Sequence, residues 1–311
     1  MSDNMFINPF KYRAKYDNLL MFGSPHSSIT VPYRKDLDFI LSGSEVSSGN
    51  LAALTEQERS LFVKEKLFIT WKPMNDQLLD RQLGFFSLCS ENPFAVQQRL
   101  ADSTVAVLGL GGLGSQAAYL LTTAGIGKLI LVDFDVIERS NLNRQLLYNE
   151  HSLGRLKTAE AEAALLRLNP ALKIETHNTR LLTKADVLEV IRGANFVVRA
   201  VDQPMHVAFE IDEACKEQGI PHLGGGFAET TCVAGPLCFP NSIPLNAAIT
   251  GHEFVTPEYF KGPIVGPLTF WLSSLIVSDI LRYLTDLGEP VLLNKIMVLD
   301  WITGKMFVQD A

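Results

Sequence analysis

Short, unbroken apolar runs alternate with longer amphipathic stretches from about residue 104 onwards. Thr104–Leu108 and Lys128–Asp133 are apolar runs of the length and type that form buried parallel strands. Leu156–Leu168 has its apolar residues at helical spacing and stops at Asn169-Pro170. Such alternation of strands and helices predicts a mostly parallel sheet with helices on both faces. The predicted fold class is therefore α/β, with a Rossmann-like sheet.

The same pattern continues towards the carboxyl end of the chain. Further strands are predicted at 173–177, 194–201, 220–223 and 231–234. One helix is predicted at 205–217, ended by Gly219, and another at 268–284. A hairpin is predicted over 296–308, with its turn at Thr303-Gly304. We therefore expect one continuous α/β domain in this part of the chain.

The first 77 residues have a different pattern, with short apolar strings and two predicted helices. One helix covers 35–42, and the second follows the capping signal Thr55-Glu-Gln-Glu and runs to about residue 65. The polar residues 42–50 between them are rich in turn formers and are predicted to form a loop. With a strand predicted at 67–70, this part is typical of a small winged-helix-like module. We predict two domains, 1–77 and 78–311.

Composition and charge exclude some classes of function for both parts of the chain. The 311 residues are 47% hydrophobic and carry a net charge of −7, which argues against a nucleic-acid-binding protein. The N-terminal module is therefore a better candidate for binding a peptide by strand addition than for binding DNA. The alternative is a structural arm that completes a dimer. No segment has the pattern of a secretion signal, and the apolar stretch 267–277 is too short to span a membrane, so we expect a cytoplasmic protein.

A glycine-rich turn connects the first strand of the predicted second domain to a helix. It brings four glycines and a serine to the start of that helix: Gly109, Gly111, Gly112, Gly114 and Ser115. Backbone amides and a helix N-terminus at such a turn attract phosphate. Asp133 ends the next strand, where a carboxylate can hold ribose hydroxyls. The turn and the acid together predict a nucleotide site, for which NAD is the default ligand.

Cationic residues beyond the second strand distinguish ATP from NAD. Arg144 and Lys157 follow that strand, and Asp202 ends a later one. A dinucleotide needs little positive charge, whereas a triphosphate under attack needs cations along its length. Asp202 is a candidate for holding a Mg²⁺ ion that bridges phosphate oxygens. These residues favour ATP with Mg²⁺, because an NAD-linked oxidoreductase leaves Arg144 and Lys157 unexplained.

The motifs of residues 78–311 resemble those of the E1-like adenylating enzymes, the superfamily that includes the ThiF, MoeB and HesA proteins. The resemblance rests on the glycine turn and on Asp133, Asp135, Asn141, Arg144, Gln145, Lys157 and Asp202. It implies an ATP·Mg²⁺-dependent adenylation in which Arg144, Lys157 and Asp202 are catalytic. Asp133, Asp135, Asn141 and Gln145 would then bind the nucleotide together with the turn.

Two further segments resemble the parts of this family that form its dimer. Asp80-Arg81-Gln82 resembles the family's Arg-Gln motif, whose arginine reaches the ATP site of the partner subunit. Gly266-Pro267 and Leu299-Asp300 resemble parts of the family's C-terminal dimer core. The resemblance therefore implies a homodimer in which Arg81 is a catalytic residue in trans.

The cysteines depart from the family pattern in two ways. Many bacterial members bind zinc through two CxxC pairs, but the four cysteines Cys89, Cys215, Cys232 and Cys238 form no such pair. Structural zinc is therefore not expected, and Cys238 is predicted to be a buried thiol. Ubiquitin activators carry a catalytic cysteine on a crossover segment, whereas 246–263 contains none. Thioester transfer is disfavoured, and adenylation remains.

The extra N-terminal residues favour one branch of the family. Sulfur-carrier activators usually begin close to the Arg-Gln motif, whereas peptide-modifying enzymes of the microcin C and pantocin types carry an additional peptide clamp. The resemblance therefore implies adenylation of a carboxylate or carboxamide-derived group on a ribosomally made precursor peptide, in antibiotic biosynthesis. Activation of a ubiquitin-like sulfur carrier and a non-catalytic binding module remain alternatives.

Overall fold

The computed structural model describes residues 5–24, 27–72, 78–201, 203–249 and 263–311. By its packing the chain divides into two compact units, Met1–Gln97 and Gln98–Ala311. The predicted boundary after residue 77 borders the undescribed residues 73–77, and the assignment of separate tasks to the two domains stays a prediction.

The strands are β1 (Met5–Ile7), β2 (Arg13–Tyr16), β3 (Leu19–Ser24), β4 (Ser27–Pro32), β5 (Glu45–Val46), β6 (Phe68–Ile69), β7 (Thr104–Leu108), β8 (Lys128–Val132), β9 (Lys173–His177), β10 (Phe196–Arg199), β11 (His222–Ala228), β12 (Thr231–Ala234), β13 (Lys295–Asp300) and β14 (Met306–Asp310). The α-helices are α1 (Asp38–Ser42), α2 (Ser48–Ala52), α3 (Glu56–Lys64), α4 (Asp80–Cys89), α5 (Pro93–Ala101), α6 (Gly112–Thr123), α7 (Lys157–Leu168), α8 (Lys184–Val190), α9 (Val207–Gln218), α10 (Leu245–Ile249) and α11 (Gly266–Thr285).

An eight-stranded sheet forms the centre of the second unit, in the order β14-β13-β12-β11-β10-β7-β8-β9. The five strands from β11 to β9 are parallel, and β12, β13 and β14 extend the sheet antiparallel. The apolar run of β7 is buried from Val105 to Leu108, as a strand covered on both faces requires. The predicted α/β fold with a large, mostly parallel sheet is confirmed.

Helices secure the sheet through apolar packing and one buried polar network. Residues of α8 and α9 pack with Ala106 of β7 and Ile130 of β8 in one core cluster. The Gln116 amide of α6 donates hydrogen bonds to the Thr269 hydroxyl of α11 and to the Arg144 carbonyl, each at 2.7 Å. This network holds the helix that starts at the glycine turn against α11 and against the segment that carries the predicted phosphate-binding residues.

The first unit contains two small antiparallel sheets, β2-β3-β4 and β5-β1-β6, and a core of its own. Thr55 caps α3 through a capping box with Glu58, as its sequence predicts. The prediction of a loop at 42–50 is wrong, because this stretch contains β5 and the start of α2. Ser47 caps α2 through Asn50, so the polar residues there end and start elements rather than forming one turn.

Most element bounds in the second unit agree with the sequence pattern to within two residues. The strand predicted at 194–201 is shorter, Phe196–Arg199, and the one predicted at 220–223 is longer, His222–Ala228. The hairpin of β13 and β14 is present, with Gly304 in the left-handed region that its turn requires. None of the helices in the described ranges is long and apolar enough to cross a bilayer.

Candidate functional site: a nucleotide cradle at the carboxyl edge of the sheet

The glycine turn after β7 depends on the absence of side chains. Gly109 has φ +94, and a Cβ on it would lie 2.5 Å from the Ala200 carbonyl oxygen. A Cβ on Gly114 would lie 1.8 Å from the Gly109 carbonyl oxygen, so this glycine lets α6 pack against the turn. Gly111 precedes the first residue of α6 in extended conformation. Because the first amides of a helix have no partner within it, the turn presents donors suited to phosphate.

Asp133 fixes this turn from the neighbouring strand. Its carboxylate is buried and accepts hydrogen bonds from the backbone N–H groups of Leu110, at 2.6 Å, and Asp135, at 2.8 Å. Burial raises the pKa of Asp133, and the Lys157 ammonium and the two amides oppose that shift. The predicted ribose ligand thus also positions the glycine turn, and each of its carboxylate oxygens keeps a lone pair for a further donor.

Lys157 is held beside Asp133 by Asp135. The Lys157 ammonium lies 2.7 Å from a carboxylate oxygen of Asp135 and 3.9 Å from one of Asp133. The Lys157 backbone N–H also donates to the Asp135 carbonyl at 3.0 Å. The Lys157 side chain is 7% exposed, compared with 47% for Asp135. The two acids of the Asp-x-Asp motif therefore have different contacts: the first fixes the turn and the second orients the lysine.

The segment after β8 brings three more predicted residues to the turn. Asn141 is buried and accepts a hydrogen bond from the Glu138 backbone N–H at 3.0 Å. The Arg144 guanidinium donates to the Ser140 carbonyl at 2.7 Å, and its aliphatic part lies within 3.5 Å of where a Cβ on Gly112 would stand. The Gln145 amide nitrogen lies 3.9 Å from the position that a Cβ on Gly111 would take. A cationic and an amide side chain thus flank the glycine turn.

Two buried polar atoms beside the turn have no hydrogen-bond partner in the described part of the chain. They are the Ser115 hydroxyl oxygen, in the first turn of α6, and the Gln145 side-chain carbonyl oxygen. Buried polar atoms without partners are rare, because their desolvation costs about 1–3 kcal/mol. Both residues were predicted from the sequence to bind the nucleotide, and their unused hydrogen-bonding capacity is consistent with that prediction.

The structure brings most, but not all, of the predicted residues together. The glycines, Ser115 and the segment from Asp133 to Lys157 surround one edge of the sheet. Arg81 lies exposed in the first turn of α4, in the first unit. Asp202 and most of the segment 246–263 lie outside the described residues. The roles predicted for Arg81 and Asp202 therefore stay predictions.

Tyr148 also contacts the glycine turn, although its position in the sequence does not predict this. It is buried and its hydroxyl donates a hydrogen bond to the Leu110 carbonyl at 3.1 Å. Burial, and then the nearby carboxylates of Asp133 and Asp135, raise the pKa of the Tyr148 phenol. The phenol therefore stays protonated and keeps donating to the turn. A tyrosine three residues after Gln145 in an apolar setting was the only sequence signal for it.

A second buried polar cluster lies away from the turn, around Asp212 of α9. Asp212 accepts hydrogen bonds from the His222 ring at 3.0 Å, Lys216 at 2.9 Å and the Leu245 backbone N–H at 2.9 Å. Ligand atoms of Asp212, His222 and Cys238 lie within 4.8 Å of one another, which is close enough for a metal ion.

Burial and hydrogen bonds set the protonation of this cluster while no metal is bound. Burial raises the pKa of Asp212, but its three hydrogen bonds outweigh that effect and hold the value at about 2. Burial raises the pKa of Cys238 to about 11, so its thiol is protonated, whereas metals bind the thiolate. The carboxylate is thus engaged by three donors. The expected absence of structural zinc stays a prediction.

The chain belongs to the ThiF family, whose family model matches residues 79–310. This places it in the E1-like adenylating superfamily, as the motifs predicted. It is 30% identical over 250 residues to the adenylyltransferase and sulfurtransferase MOCS3 of Dictyostelium discoideum, covering 78% of this chain and 56% of that protein. It is 33% identical over 201 residues to the SAMP-activating enzyme E1 of Haloferax volcanii, covering 63% of this chain and 72% of the relative. The chain spans about half the length of several such relatives.

Solved structures with the same fold cover almost the whole chain. Escherichia coli MccB with MccA-N7isoASN superposes with a TM-score of 0.83 at 22% identity, over 99% of this chain and 96% of that one. PaaA superposes with a TM-score of 0.78 at 21% identity, over 97% and 98% of the two chains. At this identity the similarity shows the fold alone. That fold includes the first unit, of which the family model leaves residues 1–78 unmatched.

Proposed function

We propose that this protein adenylates a carboxylate or carboxamide-derived group on a ribosomally made precursor peptide, using ATP. One observation carries the proposal: the structural similarity to MccB, solved with MccA and with ATP, extends over the N-terminal unit as well as the nucleotide cradle. The ThiF-family motifs supply the adenylation, and the additional unit supplies a place for a peptide. The product would be a cyclised or nucleotidyl peptide of the antibiotic type.

In the proposed reaction an acceptor oxygen of the peptide attacks the α-phosphorus of ATP. A bond forms between that oxygen and phosphorus, the bond to the bridging oxygen breaks, and pyrophosphate leaves with its electron pair. Arg144, Lys157 and the partner subunit's Arg81 neutralise the charge that develops on the phosphates. A nearby amide nitrogen or carbon nucleophile then attacks the acyl carbon of this adenylate and gives up its proton. The bond from the acyl carbon to the phosphate oxygen breaks, and AMP leaves, which gives the cyclised product. Positioning and electrostatics provide the rate, so the step needs no protein nucleophile.

The residues of the cradle hold ATP before the attack. Asp133 binds the ribose, and Asn141 and Gln145 orient the phosphates above the glycine turn. Mg²⁺ takes carboxylate and phosphate oxygens, but Asp133 already accepts two amides and Asp135 pairs with Lys157. We therefore assign the ion to Asp202, where it would supply charge neutralisation between phosphate oxygens.

The precursor peptide is proposed to bind along β4 of the first unit. The Tyr33 backbone N–H donates to the Asn18 carbonyl, and the β3–β4 register pairs Val31 with Leu20. Hydrogen-bonded pairs alternate in antiparallel sheets, so Val31 bonds to β3 while the backbone groups of Thr30 face outwards. In the described part of the chain β4 pairs with β3 alone. Its outer edge is therefore free to accept an extended peptide as a fourth strand.

A homodimer is proposed to form over the hairpin of β13 and β14. Five apolar side chains there are each more than half exposed in the single chain: Trp301, Ile302, Met306, Phe307 and Val308. Several large exposed apolar side chains on an edge hairpin are typical of an interaction site. We assign it to a second copy, because the proposed reaction requires Arg81 from a partner subunit. A size measurement in solution that finds only monomers would contradict this assignment.

Activation of the C-terminus of a ubiquitin-like carrier is the second candidate. It is favoured by the curated relatives at 30–33% identity, which include a SAMP-activating enzyme. Both candidates begin with an adenylation, so the substrate distinguishes them. The carrier hypothesis leaves the first unit and its free strand edge without a function.

Exchange of labelled pyrophosphate into ATP tests the proposal. The protein is incubated with ATP and Mg²⁺, with candidate precursor peptides, with a ubiquitin-like carrier, or with neither, and Lys157→Ala serves as the matched control. We expect exchange that depends on the peptide and is lost in the variant. Exchange with the carrier alone would favour the second candidate, and no exchange with either would indicate a non-catalytic module.

A further inference from the structure

The guanidinium group of Arg199 is a buried charge without a partner in the part of the chain that the structure describes. Arg199 ends β10 and is only 9% exposed. Its side chain forms no hydrogen bond or salt bridge with the described residues, and its Nε atom is buried without an acceptor. Because arginine stays protonated in proteins, Arg199 keeps a positive charge that these residues leave unpaired.

The side chain of Arg199 lies on the face of the sheet that α9 covers. Val197, two residues earlier on β10, packs in one core cluster with residues of α8 and α9, and alternate residues of a strand share a face. In the register of β10 and β11, Arg199 lies beside Gly224. A Cβ on Gly224 would lie 3.1 Å from the Arg199 guanidinium carbon. The glycine therefore leaves room for the guanidinium, which lies over β11.

The cluster around Asp212 does not supply the missing charge. The Asp212 carboxylate attracts the Arg199 guanidinium, but its hydrogen bonds come from Lys216, His222 and a backbone N–H. The Lys216 ammonium, 2.9 Å away, already balances the charge of Asp212. Burial lowers the pKa of His222, which favours its neutral form, and the Cys238 thiol has a pKa of about 11. Together with Arg199 the cluster has an excess of one positive charge.

A buried guanidinium without a counter-ion is unfavourable, because no ion pair offsets its desolvation. We infer that Arg199 binds a carboxylate of the peptide substrate other than the group that reacts, and that it selects peptides with an acidic residue close to the reacting group. The inference rests on the proposed function, which supplies the peptide. A guanidinium binds a carboxylate through two parallel hydrogen bonds, so such a contact is specific as well as charged.

The position of Arg199 favours this carboxylate over the phosphates of ATP. The side chain of the next residue, Ala200, lies 3.1 Å from where a Cβ on Gly114 would stand, so Arg199 faces away from the glycine turn. β11 is two strand spacings, about 10 Å, from β7 and its turn. Since an extended chain advances about 3.3 Å per residue, the acidic residue lies within about three residues of the reacting group. An ion pair with a buried guanidinium would also make a reacting carboxylate a weaker nucleophile.

Binding of small carboxylates, measured by calorimetry, tests the inference. The probes are N-acetyl-aspartate amide, its neutral isostere N-acetyl-asparagine amide, and inorganic phosphate. We expect the aspartate probe to bind about tenfold more tightly than the asparagine probe, and this difference to disappear in Arg199→Met. Arg199→Lys should keep part of the difference, because the charge remains. Arg192→Met, which changes an exposed arginine after α8, should keep all of it.

The unfolding midpoint of Arg199→Met distinguishes a binding group from a structural one. Because the charge of Arg199 is unpaired, the variant should unfold without probes at the same temperature as the native protein or at a higher one. A lower midpoint in both Arg199→Met and Arg199→Lys would show that the chain itself holds the guanidinium, and would contradict the inference.

Pyrophosphate exchange separates this inference from the proposed function. With a peptide that supports exchange, Arg199→Met should raise the KM for the peptide about tenfold and leave kcat unchanged. Unchanged KM in this variant would contradict the inference and leave the proposed function in place. Binding of the aspartate probe at Arg199 without exchange for any peptide would confirm the carboxylate site but contradict the proposed function. Phosphate that binds at Arg199 more tightly than the aspartate probe would assign the guanidinium to a phosphate group and overturn the inference.

Discussion

The nucleotide cradle of the second unit and the strand edge of the first unit present their binding groups in opposite ways. In the cradle, side chains and amides are already engaged with each other: Asp133 accepts two backbone N–H groups, and Lys157 is bound to Asp135 through both its ammonium and its backbone. Along β4, the outward backbone groups have no strand beside them in the described residues. One region is pre-assembled, and the other is incomplete without a partner.

The difference corresponds to the two kinds of ligand that we propose for these regions. ATP always presents the same base, ribose and phosphates, so a site preorganised by buried hydrogen bonds loses little entropy when it binds. A peptide brings its own regular backbone, so an open strand edge binds it without fixing its side chains in advance. Changes in the cradle should therefore affect chemistry, and changes along β4 should affect peptide affinity alone. The predictions below test that separation, from the largest effect to the smallest.

Arg81 should be an exception to this separation, because it lies in the first unit but should affect the chemistry. It lies in the first unit by packing, yet we predict that it acts on the phosphates of the partner subunit. Arg81→Ala and Asp202→Ala should each lower the adenylation rate by roughly a hundredfold or more as homodimers, because each removes charge stabilisation at the transferring phosphate. Pyrophosphate exchange is the measurement.

Mixing the two variants provides the control for action in trans. Random subunit exchange makes about half of the dimers mixed, and each mixed dimer has one site with both residues intact. The mixture should therefore regain up to roughly a quarter of native activity. If exchange is demonstrated and no activity returns, Arg81 acts within its own chain or outside catalysis.

Asp135 should affect catalysis through Lys157 while leaving the fold intact. Asp135→Asn removes the charge that holds the Lys157 ammonium at 2.7 Å, and loss of a charge-assisted hydrogen bond of about 1.5–3 kcal/mol corresponds to a tenfold to hundredfold slower reaction. The loss should be in kcat, with peptide affinity unchanged. Asp102→Asn, at the opposite edge of the sheet, is the matched control. An equal loss of kcat in both variants would show that the effect comes from the change in net charge and not from the contact with Lys157.

A proline on β4 should affect only the peptide. Thr30→Pro removes an outward backbone N–H without breaking the bonds to β3, and proline is tolerated on an edge strand. We expect precursor-peptide affinity to fall about fivefold, the value of one backbone hydrogen bond, with ATP affinity unchanged. Thr30→Ala keeps the N–H group and should bind normally. Normal peptide binding by the proline variant would exclude this edge as the clamp.

Removal of divalent metal should have no measurable effect on the fold. The cluster of Asp212, His222 and Cys238 has its carboxylate engaged by three donors and its thiol protonated. The purified protein should contain no stoichiometric zinc, and its unfolding midpoint should be the same with and without a chelator. Metal analysis that finds about one zinc per chain would contradict this prediction and would make Cys238 a candidate zinc ligand.

The sequence alone predicted the α/β class, the ThiF-family resemblance and the edge of the sheet where the cradle lies. The reason is that these depend on local rules. An apolar run between turn formers makes a buried strand, glycines at a strand end allow the close approaches seen at Gly109 and Gly114, and polar residues after parallel strands meet at one edge. The capping box at Thr55 is equally local and was found for the same reason.

Only the tertiary structure decided which of these residues bond to each other. From the sequence alone, Asp133 and Asp135 are two equivalent acids that follow a strand. In the structure the first is buried beside Leu110 and fixes the turn, whereas the second lies near α7 and pairs with Lys157. The contact of Tyr148 with Leu110 and that of the Leu245 backbone N–H with Asp212 escaped prediction because the partners are distant in sequence. Hydrogen bonds between distant residues depend on how helices pack on the sheet, and no periodicity along the chain encodes that geometry.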